Sequence, residues 1–103
     1  MNLKRLAHRI QETIPADAPL IVAGDFNDWG DHVSRFLFAE PRMREVHLAL
    51  YGRYAMTYPS GWPLLPLDRI YYRNLEVLNC RCVSGHAWNA LSDHMPLYAE
   101  FQL

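Results

Sequence analysis

The sequence predicts an α/β (α+β) domain on three observations. Leu3, Leu6, Ala7, Ile10 and Ile14 recur at helical spacing, with Lys4, Arg5, Arg9, Gln11 and Glu12 on the other side, which gives an amphipathic helix with one buried stripe. The unbroken apolar run Leu20-Ile21-Val22-Ala23 has the pattern of a central strand covered on both faces. From Leu67 the period falls to two, with Asp68, Ile70 and Tyr72 on one face and Leu67, Arg69 and Tyr71 on the other.

Pro15 stops the first helix, and Pro15-Ala16-Asp17-Ala18-Pro19 turns the chain into the first strand. Between residues 31 and 50, Phe36, Leu37 and Phe38 are followed by Met43, Val46, His47 and Leu50 at helical intervals. This predicts two short helices split at Pro41. Gly, Pro and aromatic residues then cluster from Tyr51 to Pro66, which makes a long structured loop with a short strand at Ala55-Met56-Thr57-Tyr58. After the strand at Leu67, another runs from Leu75 to Val83, where Val77, Asn79, Arg81 and Val83 alternate with Leu78, Cys80 and Cys82. The last, Pro96 to Leu103, sets Leu97, Ala99, Phe101 and Leu103 against Tyr98, Glu100 and Gln102.

The chain has 103 residues, half of them apolar, which suffices for one packed core and argues against wholesale disorder. No repeat or linker divides it, so residues 1–103 read as a single unit. Ten basic residues against eleven acidic leave a net charge of −1 with no charge run, which argues against a strongly basic nucleic-acid groove. Cys80 and Cys82, two apart on one side of a strand, are poorly placed to bridge and read as reduced core thiols. No apolar stretch nears the roughly 20 residues that span a bilayer, and the expectation is a cytoplasmic chain.

Three short strings place chemistry where apolar segments break. Asp25 and Asn27 of Gly24-Asp25-Phe26-Asn27 follow the first strand, at the strand end where open α/β sheets bind ligands. Asp can take a proton or hold a cation, and Asn can donate to a phosphoryl oxygen. The alternative is an Asx turn capping the next helix. Asp68 sits in an otherwise apolar strand, where an unpaired charge is costly, so it needs a partner; His94 is a candidate, and a solvent-facing edge Asp is the alternative. Asp93-His94 precedes the last strand, with an imidazole suited to neutral pH and a carboxylate suited to Mg²⁺ or Mn²⁺. An ordinary polar turn is the other reading. Trp29, Trp62 and Trp88 lie near the three strings, where core or rim packing is favoured over a substrate groove, and Arg69, alternating outward, is expected in an ordinary ion pair.

Taken in this order the strings resemble the endonuclease/exonuclease/phosphatase superfamily of metal-dependent phosphoesterases. The resemblance runs from about Leu20 to Leu103, and residues 22–29, 64–71 and 91–97 look like an uncharacterised bacterial branch of it. It implies the second half of a DNase-I-like four-layer sandwich, with one mixed sheet and helices on one face. It also implies that Asp25 positions or deprotonates the attacking water, Asn27 stabilises phosphoryl charge, His94 contacts the scissile phosphate, Asp68 orients His94, and Asp93 is a metal ligand beside Asp25. The cofactor implied is Mg²⁺ or Mn²⁺, and the substrate a phosphoester of nucleic acid, a lipid head group or a sugar phosphate.

The family's Asn and Gln-Glu strands, the latter carrying a principal metal ligand, have no counterpart before Asp25, since Glu12 lies on a helix. The expectation is therefore the carboxy-terminal part of the domain, weak or inactive alone, whose exposed sheet face takes the missing half or a second copy. The rival reading is a non-catalytic binding or dimerisation module derived from the same fold.

Overall fold

Tyr71 and Tyr72, adjacent on one strand and both buried, divide the interior into two cores. The computed structural model describes residues 3–26, 32–39, 42–60, 65–82, 93–95 and 97–103. In chain order these give α1 (Leu3–Thr13), β1 (Leu20–Asp25), α2 (His32–Ala39), β2 (Arg44–Glu45), α3 (Val46–Tyr51), β3 (Asp68–Arg73), β4 (Glu76–Cys82) and β5 (Leu97–Gln102). The α+β class holds. The described strands form two antiparallel sheets, β1-β3-β2 and β4-β5, where one mixed sheet was expected.

On the Tyr71 side, Ala7 and Ile10 of α1 pack with Phe26, Leu37 of α2 and Met43. Phe26 meets Tyr71 edge to face at 5.2 Å and 89°, the geometry that the ring quadrupole favours. On the Tyr72 side, Val46 of α3 and Cys80 of β4 form the centre, with Ile70, Val77, Leu97, Ala99 and Phe101 packed around them. Helices therefore serve both cores, and are not confined to one face.

β1 is an edge strand, not the doubly covered central one its apolar run suggests. It pairs with β3 alone among the described strands; Leu20 and Val22 reach the Tyr71 core, whereas Ile21 is 48% exposed. An apolar run records that a strand is to be buried and does not say what buries it. β3 is the central strand.

Arg69 departs from expectation in the same way. It shares a face with Leu67 and Tyr71 as the alternation predicts, but that face is buried and the residue is 1% exposed. Its Nε donates to the Pro66 carbonyl at 3.0 Å and Nη1 to the Tyr71 hydroxyl at 3.3 Å, while the guanidinium lies 4.0 Å over the Tyr54 ring. Stacking and carbonyl contacts make a weakly hydrated guanidinium tolerable inside. Ser34 Oγ joins the same network, 2.5 Å from the Tyr54 hydroxyl and 3.0 Å from that of Tyr71.

The second predicted helix starts late, at Val46, because Arg44 and Glu45 first pair with Tyr72 and Tyr71 of β3. Met43 lies outside that helix, buried in the Tyr71 core. Gly52 closes α3 in the left-handed region at φ 75, its N–H donating to the Leu48 carbonyl at 2.9 Å, a conformation glycine adopts without a Cβ penalty. In β4 a register shift between Val77 and Asn79 changes the phase, so Val77 and Cys80 enter one core and Leu78 is half exposed. Both cysteines are free thiols, and burial, followed by the charges of Glu45 and Cys82, pushes Cys80 up to about 11. The expected strand at 55–58 is reduced to one bridge, Tyr58 to Leu65.

Glu45 ties these parts together. Its side chain caps α3 by accepting from Leu48 N–H at 2.9 Å and also accepts from Ile70 N–H of β3 at 3.2 Å. Desolvation raises its carboxyl pKa, with the backbone N–H groups of Leu48, Ile70 and His47 and the charge of His47 acting against that rise. Glu45→Ala leaves the Leu48 and Ile70 donors without this acceptor and is expected to cost roughly 1–3 kcal/mol. Urea unfolding checks this, and a loss below about 0.5 kcal/mol would show that the carboxylate does not tie α3 to β3.

Candidate active site

The antiparallel pairing of β1 with β3 runs from Leu20 opposite Arg73 to Asp25 opposite Asp68, and the bond from Phe26 N–H to the Leu67 carbonyl, 3.0 Å, continues it. Two carboxylates thus stand opposed across the ladder, an arrangement that repels unless a cation intervenes. His94 lies between them. Its Nδ1 donates to Asp68 Oδ2 at 2.5 Å, and its Nε2 is 3.7 Å from Asp25 Oδ2.

Side-chain exposure rises along the row, from 22% at Asp68 through 31% at His94 to 46% at Asp25. Asp68 is the sheltered anchor and Asp25 the open end. The hydrogen bond to Asp68 raises the His94 pKa above 6.5; desolvation opposes the rise, and the charges of Asp68, Asp25 and Asp93 add to it. With Nδ1–H committed to Asp68, Nε2 is the nitrogen presented toward Asp25.

Thr57 and Tyr58, given no site role by the sequence, position this row. Thr57 is fully buried; its Oγ1 accepts from Asp68 N–H at 3.1 Å and its carbonyl accepts from Met95 N–H at 2.8 Å. One residue therefore fixes the neighbourhood of both partners. The Tyr58 ring lies 4.9 Å from the His94 ring, tilted by 50°. The only signal available beforehand was their place in the Gly/Pro-rich loop.

Asp93 is exposed, and its carbonyl accepts from Ser60 N–H at 2.6 Å. Its carboxylate lies outside the group formed by Asp25, Asp68 and His94. Asn27, Ser92, Trp29, Trp62 and Trp88 fall outside the described residues.

One ligand atom from each of Asp25, Asp68 and His94 can be chosen with all three within 4.8 Å of one another, close enough to hold a metal. The oxygens suit a hard divalent cation; the imidazole suits it less. Because Asp68 Oδ2 is engaged by His94, the donor set fits such an ion through Asp25 with further oxygen ligands, not through the whole row.

Comparison with known proteins follows the same line. A family model described as the Endonuclease/Exonuclease/phosphatase family matches residues 2–94. The chain belongs to that family. It is 40% identical over 102 residues to Uncharacterized protein YbhP of Escherichia coli, covering 99% of this chain and 40% of that protein. It is 35% identical over 88 residues to a UPF0294 protein of Vibrio cholerae, covering 82% and 28%. The chain thus spans two fifths or less of the length of these relatives. The fold matches the crystal structure of D. rerio TDP2 complexed with single strand DNA product, with TM-score 0.71 and 20% identity over 96% of this chain and 48% of that one. A DNase-I-like fold is the common ground of the family and this match.

A raised imidazole pKa has a definite sign. The pair contributes fully below the unfolded value near 6.5, and the contribution fades as pH rises through the folded value. In the metal-free protein, an NMR titration is expected to find His94 titrating above 6.5, and lower in Asp68→Asn. An unchanged value in the variant would show that the hydrogen bond does not cause the shift.

Proposed function

We propose that this chain carries the acid–base side of a metal-dependent phosphoesterase site, hydrolysing a phosphodiester or phosphomonoester by attack of water. The observation that supports it most is one imidazole held by Asp68 at Nδ1 and facing the more exposed Asp25 through Nε2. Family membership supports the same reading.

In this reading Asp68 fixes the tautomer and orientation of His94, and the imidazolium donates from Nε2 to a phosphoryl oxygen, where negative charge accumulates in the transition state. Asp25 orients the attacking water and accepts its proton. The 3.7 Å between Nε2 and Asp25 is longer than a hydrogen bond, so a substrate or water oxygen beside the pair can contact both. Asn27 would add an amide donor. Asp25 and Asp93 would hold Mg²⁺ or Mn²⁺, which supplies Lewis-acid polarisation of the phosphoryl group.

We further propose that a complementary part of the family domain supplies the principal Glu ligand and covers the sheet face bearing Ile21. A second copy is the alternative cover. The candidate substrates are phosphoesters of nucleic acid, lipid head groups and sugar phosphates. The DNA product in the TDP2 structure makes nucleic acid the first to try.

The test is hydrolysis of bis(p-nitrophenyl) phosphate by the longest natural protein that contains this chain. EDTA should abolish turnover, and Asp25→Ala or His94→Ala should each lower kcat by about 10²-fold or more. Turnover indifferent to EDTA, or surviving both substitutions, contradicts the proposal and favours a non-catalytic module.

A further inference from the structure

A hollow among the described residues lies away from His94. It lies at the opposite end of the β1–β3 ladder, where Arg73 pairs with Leu20, five residue steps or roughly 17 Å along the strand from the Asp25–Asp68 end. Its volume is about 960 Å³, against about 330 Å³ for the hollow beside His94. That is within the range of about 300–1,000 Å³ typical of small-molecule sites.

Arg42, Arg44 and Arg73 line it, with Glu76 as the acidic residue among the described lining and Tyr72 and Val77 on the apolar side. Arg42 and Arg44 are exposed, flank the buried Met43 and both line the hollow. Arg42 reaches this arrangement at φ 63, a left-handed conformation unusual for a residue with a Cβ. Arg73 is only 8% exposed, and its Nη2 donates to the carbonyls of Pro15 at 3.1 Å and Ile14 at 3.4 Å. Next to it, Asn74 Nδ2 donates to the Ala16 and Ala18 carbonyls at 2.8 and 3.0 Å. The α1–β1 connection is thus fastened to the β3–β4 turn, so this wall of the hollow is held in place before any ligand arrives.

We propose that this basic hollow is a second binding site, for a small molecule bearing a phosphate or diphosphate group and an apolar portion. Guanidinium forks match phosphate oxygens in pairs; the fixed Arg73 limits the ordering cost, and Tyr72 and Val77 receive the apolar part. The site is independent of the phosphoesterase reading, because none of its residues belongs to the row at Asp25, Asp68 and His94.

Titration of the ¹⁵N-labelled chain with inorganic pyrophosphate, in EDTA and at constant ionic strength, tests it. Saturable shifts are expected at the amides of residues 42–44 and 73–77, with affinity about 10-fold weaker or more in R42Q/R44Q. Both positions are exposed, so the variant should keep the wild-type spectrum elsewhere. Shifts confined to residues 25, 68 and 94, shifts that do not saturate by about 10 mM, or equal affinity in the variant would each overturn the proposal.

Discussion

Two carboxylates placed opposite each other in an antiparallel ladder govern the rest of this structure. Asp25 and Asp68 are register partners, and such a pair repels unless positive charge is brought to it. The cost would be removed if the register slipped. It does not slip, because the apolar residues of β1 and β3 are committed to their faces and a one-residue shift would turn each to the wrong side. The chain meets the charge instead of avoiding it, by carrying His94 back to the pair.

Holding His94 there is the work of the loop before β3. Thr57 is bonded on one side to the strand that carries Asp68 and on the other to the residue after His94. The imidazole therefore sits on two rigid supports, an arrangement that functional sites need if donor and acceptor are to stay within a few tenths of an ångström of a working geometry. Beneath it, the buried Arg69 joins Pro66, Tyr54 and Tyr71, so the start of β3 is fastened on its other face as well. Stability and site geometry depend on the same strand.

Much of this was legible in the sequence, for physical reasons. A charged residue in an apolar strand must find a partner, and that reasoning led from Asp68 to His94, which lie 26 positions apart. Helical spacing located α1, and alternation located β3 and β5. Where the reading departed from the structure, the missing information was about neighbours and not about the residues themselves. β1 has the composition of a covered strand, yet Ile21 faces outward. Arg69 alternates as predicted, but the face it shares is the buried one. The register shift at Val77 and Asn79 left no mark in the residue pattern. Thr57 could not have been singled out, because its importance lies in two backbone partners.

The central claim is that His94 offsets repulsion between Asp25 and Asp68, and a double-mutant cycle at pH 6 measures this directly. Unfolding free energies are compared for the wild-type chain, Asp25→Asn, His94→Gln and the double variant. With the imidazole gone, Asp25→Asn should stabilise the chain by a few tenths to about 1 kcal/mol, because only repulsion is removed. With His94 present it should gain less or lose stability. Equal effects of Asp25→Asn in the two backgrounds, within about 0.3–0.5 kcal/mol, would contradict the account.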